Sequence, residues 1–164
     1  MNTVIILRGP AGVGKSTVAH LVQAGLGINA TIIDVDALKK YMPLKPRQSN
    51  RAERSRIAHD VSKFFMKQMY DKGYDVILEE MYKKPYNDSL ITFLTDHDIR
   101  FTKIFLYASV ETVLERSRSR QKDAPDHEIR RHFAEITPYQ DDFVIDTTKC
   151  TSSEAATIVL SRLG

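Results

Sequence analysis

The length, composition and charge of the chain limit the kind of protein it can be. Its 164 residues, 42% hydrophobic and 27% charged, are enough for one folded core but too few for two ordinary domains, so we expect a single domain over residues 1–164. The formal net charge of +3 is small for a dedicated duplex-DNA-binding protein. A single cysteine, Cys150, excludes an internal disulfide and fits a reducing compartment. With no apolar stretch near the N-terminus long enough for a signal peptide or a membrane span, we expect a cytoplasmic protein.

Apolar runs alternate with helical patterns along the chain. In chain order, continuous aliphatic and β-branched runs predict strands at 4–7, 31–35, 75–78, 104–108 and 143–145, the pattern of strands buried on both faces of a parallel sheet. Helices are expected at 16–26, 50–72, 89–96, 110–120 and 153–163. This alternation predicts an α/β fold, a three-layer sandwich with a mostly parallel five-stranded sheet. Ligands in such folds bind beyond the carboxyl ends of the strands.

The segment between the first predicted strand and the first predicted helix matches a phosphate-binding motif, G-x-x-x-x-G-K-[ST]. Residues 9–16, the P-loop, read Gly-Pro-Ala-Gly-Val-Gly-Lys-Ser. Glycines let main-chain amides converge on an anion, and the helix N-terminus adds the positive end of its dipole. We expect Lys15 to contact the β- and γ-phosphates and the Ser16 hydroxyl to bind Mg²⁺. The sequence therefore predicts ATP and Mg²⁺ as cofactors, with nucleotide contacts from Gly9, Ala11, Gly12, Val13, Gly14, Lys15, Ser16 and Thr17.

Carboxylates follow the second and third predicted strands. Asp34 and Asp36 are two residues apart. Because side chains along a strand point alternately to opposite faces, both would lie on one side of the sheet. We expect Asp36 to accept the proton of a substrate hydroxyl and Asp34 to belong to the magnesium site; the alternative is that one of them only caps the next helix. Of Glu79 and Glu80, only one can face the site squarely, and Glu79 is favoured as the residue that orients Mg²⁺ or its water shell.

Two arginines near the end of a predicted helix share one of its faces. Arg116 and Arg120 are four residues apart, the spacing of neighbours on a helix surface. Such a pair can clamp the oxygens of a transferring phosphoryl group. On charge pattern alone, a solvated helix end is favoured over this role.

A second group of basic residues lies before and within the long central helix. Arg47, Arg51 and Arg54 fall on one helical line that continues through Ala58, Val61 and Phe65, which we take as the buried apolar face. This stripe would lie over the cleft and predicts an anionic acceptor, such as a phosphorylated sugar, a nucleotide or a polynucleotide end. The alternative is a solvent-facing extension of the helix. Lys83 could also reach the acceptor, whereas His59 is expected to be exposed.

Together these motifs resemble those of a known group of enzymes. The P-loop, the segment Val35-Asp36-Ala37-Leu38, the pair Arg116 and Arg120, and the segment at 142–147 are similar to the small P-loop kinases. Within these, the chain resembles the polynucleotide 5′-hydroxyl kinase, zeta toxin and chloramphenicol phosphotransferase group over nearly its whole length. It departs from that group in carrying Glu79-Glu80-Met81, where a single acidic residue followed by a small one is usual.

The resemblance implies a role for each matching position. Asp36 would deprotonate the acceptor hydroxyl, Glu79 would act near the magnesium ion, and Asp146 and Thr147 would flank the adenine base. Arg116 and Arg120 would be the arginines of a short lid around residues 116–130, which reverses the preference for a solvated helix end.

The sequence therefore predicts an ATP- and Mg²⁺-dependent phosphotransferase that moves the γ-phosphoryl group to a hydroxyl of a small-molecule or nucleic-acid acceptor. One alternative is a kinase specific for polynucleotide ends, in which the arginine stripe holds backbone phosphate. The other is a non-catalytic nucleotide-dependent switch protein, which the absence of an N-K-x-D guanine-reading motif disfavours. No membrane partner is expected, and the sequence predicts no particular oligomeric state.

Overall fold

The computed structural model describes residues 2–42, 50–119 and 125–163. In chain order the elements are β1 (Val4–Arg8), α1 (Lys15–Leu26), β2 (Ala30–Asp34), α2 (Val35–Lys40), α3 (Arg51–Asp71), β3 (Asp75–Glu79), α4 (Lys84–Asp96), β4 (Phe101–Tyr107), α5 (Val110–Ser119), α6 (Asp126–Glu135), β5 (Phe143–Asp146) and α7 (Ser152–Ser161).

The five strands form one parallel sheet with helices on both faces. Their order is β2-β3-β1-β4-β5, and every pairing between neighbours is parallel. Strand alternation divides the apolar residues of β1 between two cores. Ile5 and Leu7 pack in the core that includes residues of α1 and α7, and Val4 and Ile6 pack in the core that includes residues of α3 and α4. The predicted α/β fold with a parallel five-stranded sheet is confirmed.

Two helices were not predicted from the sequence. Helix α2 begins directly after β2, where the predicted strand continued through residue 35, because the Asp34 side chain caps the helix and ends the strand. Helix α6 follows Pro125 and has one buried side chain, that of Ile129, so its apolar signal was weak. In the part of the chain that the structure describes, no helix combines the length and the apolar character needed to span a membrane.

Candidate active site

The chain between β1 and α1 forms a tight loop that only glycine permits at two of its positions. Gly9 has a φ of 146° and Gly12 a φ of 86°. A Cβ on Gly9 would lie 2.2 Å from the carbonyl oxygen of Leu106 in β4, and one on Gly12 would lie 2.5 Å from Cγ1 of Val113 in α5. Both distances are far below van der Waals contact, so neighbouring elements press directly on the backbone of the loop. The P-loop therefore adopts the strand–loop–helix arrangement that the motif predicted.

Lys15, the first residue of α1, holds its ammonium group against the P-loop. Its Nζ donates hydrogen bonds to the carbonyl oxygens of Gly9 and Pro10, at 3.1 and 3.0 Å, and the side chain is buried. Burial lowers the pKa of Lys15, and the charges of nearby carboxylates offset part of that fall; they belong to Glu79, Asp36, Glu80 and Asp34. Carboxylates at and directly after the ends of β2 and β3 thus favour the charged form of the P-loop lysine.

Glu79, the last residue of β3, faces the P-loop. Its Oε1 accepts a hydrogen bond of 2.7 Å from Oγ of Ser16. Burial raises the pKa of Glu79, while the hydrogen bond from Ser16 and the charge of Lys15 act in the opposite direction. Glu80, in contrast, is bonded to Lys39 and to the main chain of Tyr82. The structure therefore separates the two carboxylates: Glu79, which the sequence favoured, contacts Ser16, whereas Glu80 does not.

Ser16 and Glu79 supply oxygen atoms of the kind that Mg²⁺ prefers. Within residues 2–42, 50–119 and 125–163, no three His, Cys, Asp or Glu side chains come together as a metal site. A magnesium ion here would accordingly need additional oxygens from nucleotide phosphates and water, which is how Mg²⁺ usually binds in nucleotide enzymes. The residues present fit such an ion.

A cavity of about 380 Å³ opens above the P-loop. Four parts of the fold line it: the P-loop with the start of α1, the end of β3, helix α5 and helix α6. The lining residues are Ala11, Gly12, Gly14, Lys15, Ser16, Thr17, Glu79, Val113, Arg116, Ser117 and Ile129.

Arg116 reaches from α5 to the loop after β5. Its Nη2 donates to the carbonyl oxygen of Thr147 at 2.7 Å, which fixes the guanidinium at the edge of the cavity. The Thr147 hydroxyl is buried and lies 3.0 Å from the carbonyl oxygens of both Val13 and Tyr107. It therefore ties the P-loop to the carboxyl end of β4. The adenine-flanking role of Asp146 and Thr147 stays a prediction.

The expectation that Asp34 and Asp36 share one face of a strand is wrong, because the backbone becomes helical at Val35. Asp34 Oδ1 accepts a hydrogen bond of 3.0 Å from the amide of Ala37 and caps α2. Asp36 lies in the first turn of α2, with its carboxylate 55% exposed and 2.9 Å from Nζ of Lys39. The helix cap that was considered as an alternative is thus present at Asp34. A role for Asp34 in binding magnesium stays a prediction.

The predicted apolar face of the long helix is also wrong. Val61 and Phe65 are 46% and 44% exposed, and the buried residues of α3 are instead Ala58, His59, Ser62 and Met66. The sequence misled because Val61 and Phe65 are apolar, whereas the buried face includes the polar residues His59 and Ser62. His59, expected to be exposed, therefore lies inside the protein.

The basic residues predicted to bind substrate differ in their exposure and in their partners. Arg51 is exposed at the start of α3, and Arg54 donates to the carbonyl oxygen of Lys39, so it joins α3 to α2. Lys83 is paired with Glu135 of α6 at 2.6 Å. Arg47, Arg120 and part of the predicted lid lie outside the described residues.

The parallel strand order, with a glycine-rich loop leading into α1 at the carboxyl end of the central strand, defines a P-loop NTPase fold of the kinase type. The chain belongs to the AAA domain family, which matches residues 4–141. No curated protein matches its sequence significantly.

Several solved structures share this fold over nearly the whole chain. The tunicamycin resistance protein of Deinococcus radiodurans is 18% identical, with a TM-score of 0.74 and coverage of 100% of this chain and 96% of that one. The APS kinase of Mycobacterium tuberculosis in complex with AMPPNP and APS is 24% identical, with a TM-score of 0.73 and coverage of 99% and 97%. A gluconokinase from Sinorhizobium meliloti 1021 is 18% identical, with a TM-score of 0.72 and coverage of 98% and 93%.

Proposed function

We propose that this protein is an ATP- and Mg²⁺-dependent kinase that transfers the γ-phosphoryl group to a hydroxyl of a small-molecule or nucleic-acid acceptor. One observation carries the proposal: Lys15, Ser16, Glu79 and Arg116 line one cavity above the P-loop. The Asp36 carboxylate, in the first turn of α2 and 55% exposed, is the proposed acceptor of the proton from the incoming hydroxyl. The similarity to a gluconokinase and to an APS kinase solved with AMPPNP supports a kinase activity.

In the proposed reaction, Asp36 accepts the proton of the acceptor hydroxyl. The oxygen attacks the γ-phosphorus in line, the bond from that phosphorus to the β,γ-bridging oxygen breaks, and its electron pair leaves with ADP. Lys15 and Arg116 offset the negative charge of the phosphate oxygens. Mg²⁺ bound through Ser16 and Glu79 would add further charge neutralisation when present. Membership of the polynucleotide kinase, zeta toxin and chloramphenicol phosphotransferase group remains part of this proposal.

The first experiment identifies the acceptor. Nucleosides, sugars, antibiotics and oligonucleotides are incubated with the protein, Mg²⁺ and ATP labelled in the γ-phosphate, and labelled products are separated. If an oligonucleotide accepts the label, binding that weakens steeply with salt would favour an enzyme specific for polynucleotide ends. If no compound is labelled and a protein partner instead stimulates ATP hydrolysis, the protein is a switch and the proposal fails.

The second experiment tests the base. We expect Asp36→Asn to lower kcat for the identified acceptor by about 10²- to 10⁴-fold, the usual contribution of general base catalysis, with the Kd for ATP unchanged. Lys15→Ala should weaken ATP binding itself by about tenfold or more. The matched control is Asp60→Asn on the exposed surface of α3, where the carboxylate pairs with Arg56. Turnover of Asp36→Asn at the wild-type rate would remove Asp36 from its proposed role.

A further inference from the structure

Glu80 is a buried carboxylate that the proposed reaction does not use. It is 5% exposed, and it belongs to the segment Glu79-Glu80-Met81, by which the sequence departs from the kinases it resembles. Its Oε2 accepts a hydrogen bond from the amide of Tyr82, and its Oε1 lies 2.8 Å from Nζ of Lys39. A buried charge is unfavourable unless it is paired and hydrogen-bonded. The ion pair with Lys39 is therefore part of the buried structure and differs from an ordinary pair on the protein surface.

Lys39 connects this buried carboxylate to the proposed base. The same Nζ lies 2.9 Å from Oδ1 of Asp36. An exposed ion pair alone usually contributes little, partly because pairing orders two flexible side chains. Here the Lys39 side chain is only 20% exposed and is already held by Glu80, so less conformational entropy is lost when Asp36 binds to it. Although burial lowers the pKa of Lys39, its contacts with Glu80 and Asp36 outweigh that effect and raise it overall.

The surroundings of Glu80 favour this pairing. His59 Nε2 is 3.9 Å from Glu80 Oε1, and its ring stacks on Tyr86 with the ring centroids 3.9 Å apart. Burial lowers the pKa of His59 to about 4, so its imidazole is neutral at pH 7. Of the described side chains within ion-pair distance of Glu80, Lys39 is thus the one that is charged at that pH.

We propose that Lys39 and Glu80 are positioning residues for Asp36: Glu80 fixes Lys39, and Lys39 holds the Asp36 carboxylate through Oδ1. The inference rests on the proposed function, since it takes Asp36 as the base. Oδ2 of Asp36 accepts no hydrogen bond from the part of the chain that the structure describes, which leaves that oxygen to receive the proton of the acceptor hydroxyl. Glu80, which directly follows β3, thereby has a role distinct from that of Glu79.

The test compares Lys39→Met, Lys39→Arg and Glu80→Gln with the wild type, using the acceptor found by labelling. We expect Lys39→Met to lower kcat by about 10- to 100-fold, the effect of a misplaced catalytic group, with the Kd for ATP nearly unchanged. Because this variant leaves the buried Glu80 without its counter-charge, its melting temperature should also fall, so kcat is measured well below that temperature. Lys39→Arg should recover most of the activity, because a guanidinium can also bridge two carboxylates. Lys67→Met, which removes an exposed partner of Asp71, is the control and should behave as the wild type.

A double variant separates positioning from general damage. If Lys39 acts through Asp36, then Lys39→Met combined with Asp36→Asn should be no slower than Asp36→Asn alone. If the two substitutions instead reduce kcat by the product of their separate factors, or if Lys39→Met has the wild-type kcat, the positioning role is overturned while the kinase proposal stands. If no acceptor is labelled, the proposed function fails. Crystal structures of the wild type and of Lys39→Met still test the geometry. An Asp36 carboxylate in the same place in both structures would refute positioning, and a displaced carboxylate would support it.

Discussion

Arg8 and Asp142 form a buried ion pair that joins the end of β1 to the segment before β5, across 134 positions of sequence. Their side chains are 1% and 0% exposed. The Arg8 guanidinium also lies 4.0 Å from the ring centroid of Tyr139 and donates to the carbonyl oxygen of Thr137 at 3.1 Å. Because Arg8 directly precedes Gly9, this pair fixes the strand that leads into the P-loop.

Removing one charge of this pair should strongly destabilise the fold. Asp142→Asn keeps the shape of the side chain but leaves the Arg8 guanidinium buried without its counter-charge. We expect the free energy of unfolding, measured by urea denaturation, to fall by about 3 to 5 kcal/mol. Asp60→Asn, which affects the pairs of the exposed Asp60 carboxylate with Arg56 and Lys63, should cost less than about 1 kcal/mol. Equal losses in the two variants would contradict the importance of the buried pair.

A methyl group at Gly12 should disrupt nucleotide binding, and Gly73 offers a matched control. The two glycines have φ values of 86° and 87°, so alanine is strained by a similar backbone conformation at both. A Cβ at Gly12 would also meet Val113, whereas one at Gly73 would meet nothing within 4 Å. We expect Gly12→Ala to weaken ATP binding by about tenfold or more, measured by calorimetry. Gly73→Ala should lower stability by about 1 to 2 kcal/mol and bind ATP normally; a Gly12→Ala variant with wild-type affinity would contradict the tight-loop geometry.

The consecutive glutamates Glu79 and Glu80 should affect different measurements. Glu79→Gln removes the carboxylate bonded to Ser16, so we expect the Mg²⁺ concentration for half-maximal transfer to rise by about 10- to 100-fold. Glu80→Gln should lower kcat without changing that concentration, because Glu80 contacts Lys39. Titration of activity with Mg²⁺ at saturating ATP distinguishes them. The reverse pattern would mean that the two carboxylates have been assigned the wrong way round.

His59 should make the stability of the protein fall in mild acid. Burial lowers its pKa from 6.5 to about 4, so between these values the unfolded chain takes up a proton more readily than the folded one. The stabilising contribution is present above pH 6.5 and is lost as the pH falls towards 4. Relative to His59→Phe, the wild type should lose about 2 to 3 kcal/mol over this range. Urea denaturation at several pH values gives both curves, and parallel curves would contradict a buried, neutral His59.

The P-loop and the strands were predictable because their signals are local. The motif at residues 9–16 is contiguous, and its backbone conformation depends on glycines at fixed positions within it. A strand that is buried on both faces is encoded by a continuous apolar run, and each predicted strand accordingly has a counterpart in the sheet. Short or weakly apolar elements such as α2 and α6 give no comparable signal, and one capping side chain, that of Asp34, moved the boundary between strand and helix.

The sequence by itself thus determined the fold class, the phosphate-binding loop and the group of carboxylates at the strand ends. Only the tertiary structure decided which glutamate faces Ser16, that His59 is buried, and that Lys39 joins Glu80 to Asp36. The physical reason is that these relationships depend on where each strand ends and on how the helices pack against the sheet. Contacts such as those of Arg8 with Asp142 and of Thr147 with Val13 join residues 134 positions apart, a separation at which neither residue type nor spacing carries information about the partner.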